Sequence, residues 1–83
     1  MDCMENKKKC IRALESEKSG DWKRAHRIVQ EISTKESAWI HAYLHRVEGD
    51  RANAGYWYHR ARKPECHTSL KDEWQVIYNG LTT

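Results

Sequence analysis

The sequence has no phenylalanine, one proline and four glycines among its 83 residues. So few turn formers argue against a strand-and-turn protein and for helices. No apolar run approaches the roughly 20 residues that cross a bilayer, and Met1–Lys9 is polar and lysine-rich, so neither membrane insertion nor export is expected. Cys3, Cys10 and Cys66 are odd in number and show no C-x-x-C spacing, which excludes a disulfide framework or a zinc ribbon and fits a reducing cytoplasm. Cys66 beside His67 supplies at most half a zinc site. Cys3 and Cys10 share a helix face as small interior or helix-end residues.

Also missing are the patterns of catalysis: no nucleophile with a base and an orienting group, no glycine-rich phosphate cradle and no separated carboxylate pair. Ser33, Ser37 and Ser69 fall near helix ends, where capping accounts for them. At this length a two-domain enzyme is excluded, because single cores usually need about 50 to 200 residues. An enzyme is therefore less expected than a binding protein.

What is present is a pattern of helices. Four Trp and four Tyr provide large apolar bodies within a chain that is 39% hydrophobic and 33% charged. Gly20-Asp21 and Gly49-Asp50 each pair a helix-ending glycine with a helix-starting aspartate. Ser69 with Asp72 three residues on predicts a capping box for a last helix. The expected helices are 4–18, 21–33, 37–48, 51–62 and 70–80. Together they make one all-α domain over 1–83, with hairpins over 4–33 and 37–63 and a capping helix over 69–81.

In the second helix Trp22, Ala25, Val29 and Ile32 form a packing stripe opposite Lys23, Arg24, Arg27 and Glu31. Apolar residues surround most of the third helix (Trp39, Ile40, Tyr43, Leu44, Val47), as expected of a central, enclosed element. The last helix carries one stripe, Leu70, Trp74, Ile77 and Leu81.

Ala13, Gly20, Asp21 and Ala25 recur 29 residues later as Ala42, Gly49, Asp50 and Ala54. Small residues let helices approach, glycine takes the left-handed turn, and aspartate caps the next helix. With Tyr58, Ala61 and Pro64, the second unit resembles the tetratricopeptide superfamily and its Sel-type relatives over about residues 6–64. That resemblance implies stacked helical hairpins used for protein recognition. The offset is shorter than the roughly 34 residues of tetratricopeptide units, and two units fall below the usual three, so the fifth helix must complete the core. The segment Ala38–Asp50 also resembles the core of a group of small bacterial proteins, which implies no activity.

Three candidate surfaces emerge. His41 and His45 lie one turn apart on one face of the third helix, and His26 is the best third ligand for a bound zinc or nickel ion. Ala42 stands where the zinc-protease signature needs glutamate, so metalloprotease chemistry is excluded. The plainer alternative has these histidines hydrogen-bonding at a helix–helix seam beside Ala38 and Ala42. Second, Tyr56, Arg60 and Lys63 form a candidate partner-binding surface, with Trp57 and Tyr58 turned inward. Third, basic residues cluster on the first helix (Lys7, Lys8, Lys9, Arg12), the second (Lys23, Arg24, Arg27) and the fourth (Arg51, Arg60, Arg62, Lys63), which admits weak nucleic-acid binding or a merely solvated face. The first expectation is a non-catalytic interaction module whose partner is another protein or a second copy. A metal-binding protein and a nucleic-acid binder are the alternatives.

Overall fold

The computed structural model describes residues 3–83, with side chains from Glu5 onward, so the expectation for the Cys3 side chain lies outside the described residues. The chain is all-α: α1 (Cys3–Lys18), α2 (Trp22–Gln30), α3 (Lys35–Val47), α4 (Arg51–Ala61) and α5 (Leu70–Thr82). Among the described residues no helix is long and apolar enough to cross a membrane.

The doubled Gly-Asp signal becomes two copies of one local structure. Gly20 and Gly49 take φ of +98° and +86°, a region that L side chains rarely adopt. In the first turn Gly20 N–H donates to the Glu17 carbonyl at 2.9 Å and Asp21 N–H to the Ser16 carbonyl at 2.8 Å; in the second, Gly49 reaches Arg46 at 3.1 Å and Asp50 reaches His45 at 2.8 Å. This pairing satisfies the last free carbonyls of α1 and α3. Each aspartate then accepts the N–H three residues on, Arg24 at 3.1 Å and Asn53 at 3.2 Å, and starts the next helix.

The end of α4 repeats the same bonds without a glycine. Lys63 N–H reaches the Tyr58 carbonyl and Arg62 N–H the His59 carbonyl, both at 3.0 Å, while Arg62 sits at φ +59°. A left-handed L-residue costs about 1–2 kcal/mol, part of which glycine returns as unfolded-chain entropy. Arg62→Gly is therefore expected to stabilise the protein by about 0.5–1 kcal/mol, read as a higher denaturation midpoint at unchanged slope; a lower midpoint would contradict this account of the turn.

The junction between the second and third helices departs most from expectation. α2 stops at Gln30 and α3 begins at Lys35, two residues before the expected start at Ser37. Thr34 is the cap: its hydroxyl accepts Ser37 N–H at 3.1 Å, and Ser37 Oγ accepts Thr34 N–H at 3.2 Å. Ser37 replaces the usual glutamate of this reciprocal box and lies buried inside the first turn, donating also to the Ile32 carbonyl at 2.7 Å.

α1 packs on α2 and α3 on α4, while α3 also contacts α1, α2 and α5. The Trp39 helix is thus central. The main core gathers Leu14 and Ala13 of α1, Ala25 and Val29 of α2, Ile40, Tyr43 and Leu44 of α3, and Trp74, Ile77 and Leu81 of α5. Indole N–H groups tie the layers together: Trp22 Nε1 donates to the Leu44 carbonyl at 2.7 Å and Trp74 Nε1 to the Leu14 carbonyl at 3.0 Å. Cys10 is part of this core, and burial, with the charge of Glu36 adding to it, pushes its thiol up to about 11, so it is unreactive near neutral pH.

The buried face of α5 departs from the expected stripe. Leu70 is exposed, whereas Glu73 is 1% exposed. Its Oε1 accepts Arg46 Nη1 at 2.9 Å, and its Oε2 accepts Trp39 Nε1 at 3.0 Å and the Tyr58 hydroxyl at 2.6 Å. One carboxylate thereby binds α5 to both α3 and α4. Arg46 also donates to the Thr68 carbonyl, which holds the segment leading into α5.

Candidate metal centre

His26, His41 and His45 meet where α2 packs on α3, with Trp57 of α4 reaching His41 from the other side. Asp21 starts α2, so Trp22 lies in its first turn and His26 one turn further along the same side. The Trp22 indole stacks on His26 with ring centroids 5.0 Å apart and planes 11° from parallel. Because that indole is also bonded to the Leu44 carbonyl, His26 is held against α3. On α3, His41 and His45 stack one turn apart at 5.1 Å. Their neighbours Ala38 and Ala42 are buried, which allows the close helix approach.

The rings converge. His26 Nε2 and His41 Nε2 are 3.0 Å apart, His26 and His45 have ring centroids 5.5 Å apart, and one ligand nitrogen from each of the three lies within 4.8 Å of the others. On a tetrahedral ion with bonds of about 2.0–2.1 Å, neighbouring nitrogens sit roughly 3.3 Å apart. Trp57 of α4 stacks on His41 at 3.8 Å with planes 9° apart, so indoles flank the cluster on two sides.

Electrostatics favours lone pairs here. Burial, followed by the nearby charges of His26 and His45, pushes His41 down to about 4. Burial and the charge of His45 also lower His26, with Glu48 opposing. Both rings are therefore neutral at pH 7, and in their 3.0 Å contact one Nε2–H donates and the other Nε2 accepts. His45 Nδ1 is buried without a hydrogen-bond partner; Glu48 Oε1 approaches only to 3.5 Å.

The lowered His41 has a consequence for the metal-free protein. Its unfolded-chain value is 6.5 and its folded value about 4, so between these the unfolded chain binds more protons and stability rises with pH. Stability is expected to be fully present above about pH 6.5 and to fall by up to about 3 kcal/mol on acidification to pH 4. Urea titrations along this pH range would read it. An equally steep fall in His41→Gln would assign the effect to other groups.

A second set, His45, Glu48 and Asp50, is also close enough to share an ion. Asp50 is already engaged, its two oxygens accepting Asn53 N–H at 3.2 Å and Asn53 Nδ2 at 2.6 Å. The adjacent Cys66 and His67 gather no third metal ligand among the described residues. Cys66 Sγ instead contacts Thr68 Oγ1 at 3.1 Å.

On α4, Tyr56 is 53% exposed, and Tyr58, Ala54 and Ala61 face inward. Arg60 donates to the Tyr56 hydroxyl at 2.9 Å and lies over the Trp57 ring. Lys63 is turned to another neighbour, with its ammonium 4.2 Å from the Trp39 ring centroid. Of the three residues expected to share a partner surface, two are joined and one stands on a different ring.

Glu48, Trp22 and Trp57 were not foreseen as parts of the histidine site. The spacing of His45 and Glu48, three apart on one helix, carried a signal for the first. The helical wheel turned Trp57 inward but did not place it on His41, because that contact depends on how α4 rotates against α3. No protein family matches the chain, and no curated protein or solved structure shows significant similarity to it.

Proposed function

We propose that this protein binds a divalent transition-metal ion, zinc or nickel, through His26, His41 and His45. The observation that carries the reading is the convergence of three imidazole nitrogens within 4.8 Å of one another at a helix junction where His41 is buried and His26 and His45 are half-buried. A hydrogen-bonded seam accounts for the His26–His41 contact and gives His45 no part in it. With a metal on Nε2 of His45, its Nδ1–H would face Glu48, the carboxylate–histidine arrangement that orients metal ligands.

Three imidazoles suit zinc, nickel or copper and disfavour calcium and magnesium, which require oxygen donors. They leave a coordination position open to water or to a ligand. The interaction-module reading has less behind it, since Arg60 already occupies the Tyr56 hydroxyl and Lys63 stands apart.

Calorimetric titration with zinc chloride or nickel chloride at pH 7.5 tests the proposal. One ion per chain is expected, with affinity lowered at least tenfold by His45→Gln and unchanged by replacing the exposed His59 and His67 with Gln. Because Trp22 and Trp57 stack on the ligand rings, nickel is also expected to quench tryptophan fluorescence at the same stoichiometry. Binding that survives His45→Gln and disappears with His59 and His67 would overturn it.

A further inference from the structure

We propose that the cleft between α1 and α2 binds the phosphate backbone of single-stranded nucleic acid. Hairpin folding brings Lys9 and Arg12 of α1 opposite Arg24 and Arg27 of α2 around a cleft of about 430 Å³, which Asn6, Ile28, Glu31 and Ile32 complete. Within each helix the two cations are three residues apart and so project to one side. None of the four has a carboxylate within ion-pairing distance among the described residues.

The distribution of charge singles this cleft out. The chain has 15 Lys and Arg against 12 Asp and Glu, a net +3. The cleft lining holds four of the cations and one of the carboxylates, leaving eleven of each elsewhere. The whole positive excess of the chain therefore equals the charge of this one concave surface. The other cleft with two arginines, lined by Arg46, Arg51, Glu65 and His67, lacks that excess, because Arg46 is paired with buried Glu73 and Glu65 stands in the lining.

The cleft's form selects among polyanions. A lipid surface is flat and favours apolar side chains that insert beside the cations; the exposed large apolar residues Tyr56, Leu70 and Val76 all lie on α4 and α5 instead. A single strand offers a charge at every unit and an apolar ribose or base face between charges. Two cation rows above half-buried Ile28 and Ile32 match both features. Three of the four cations are arginines, whose planar forks grip phosphate oxygens two at a time.

Fluorescence anisotropy with a labelled 12-nucleotide RNA, between 50 and 200 mM salt, tests the cleft on the full chain. Four neutralised phosphates predict a slope of log affinity against log salt of about −2.8, from roughly −0.7 per phosphate for single strands. Replacing Arg24 and Arg27 together by Gln is expected to halve that slope to about −1.4, with circular dichroism confirming an unchanged fold. Arg51 and Lys71, exposed outside the cleft, serve as the control pair and should leave the slope unaltered. Equal losses in both pairs, equal competition by polyglutamate, or preference for anionic vesicles would each overturn the proposal.

Discussion

Glu73→Ala is expected to destabilise the protein by about 3–5 kcal/mol, the range for removing one partner of a buried ion pair. The carboxylate is 1% exposed and is the shared acceptor for Arg46, Trp39 and Tyr58. Its loss leaves the Trp39 indole N–H and the Tyr58 hydroxyl without their bonds, and a cavity where the side chain stood. Arg46 suffers less, because it is partly exposed and keeps its contact with the Thr68 carbonyl. The cost therefore falls toward the lower end of the range. Glu73→Gln keeps the volume but turns an amide NH2 toward donors, so a loss of about 2 kcal/mol is expected. A small domain has a total stability of about 5–15 kcal/mol, so the alanine variant would be marginal at 37 °C. Denaturant titration reads both values; a loss below about 1 kcal/mol for Glu73→Ala would show that the carboxylate contributes no more than a surface ion pair.

The second large effect expected is stabilisation by the proposed metal. An ion that binds only the folded state adds about 4 kcal/mol at a free concentration a thousand times its dissociation constant. For a chain of this size that corresponds to a rise in melting temperature of roughly 15–30 °C. The gain is expected because the three proposed ligands come from two helices: His26 is fixed to α2, and His41 and His45 to α3. Holding them on one ion resists separation of the hairpins, which the unfolded chain cannot exploit. His45→Gln should abolish most of the rise while leaving the metal-free melting temperature nearly unchanged, since its Nδ1 makes no hydrogen bond to lose. A rise of the same size in that variant would place the ion elsewhere.

How much of this could be read from the residues depended on how local each cause was. Gly20-Asp21 and Gly49-Asp50 were legible because carbonyl satisfaction and helix capping are completed within nine residues. The third such turn, at Arg62, was not, because arginine gives no sign that it will adopt φ of +59°. Thr34 escaped notice as a cap because its partner in the reciprocal box is serine and not the usual glutamate. Glu73 was unreadable for a different reason. A charge beside an apolar stripe ordinarily faces water, and only Arg46, 27 residues away in sequence, and the tyrosine and tryptophan donors make its burial tolerable.

The candidate site divides along the same line. His41 and His45 announced their shared face by helical spacing, and His26 by its place at the edge of the Trp22 stripe. The stacking of Trp57 on His41 and the enclosure that drives His41 down to about 4 are products of helix packing, beyond the reach of local pattern. Leu70 shows the reverse error: it fits the apolar period of α5 but is exposed at that helix's first residue, while the buried stripe of α5 packs against α1 and α3.

The central claim is that the three histidines form one metal centre. Its most direct measurement is an anomalous difference map at the zinc absorption edge from crystals soaked with zinc chloride at pH 7.5. The account predicts one peak per chain, with nitrogens of His26, His41 and His45 at about 2.0–2.1 Å. Zinc found only at His59, His67 or Cys66, with the His26–His41 hydrogen bond intact, would contradict it.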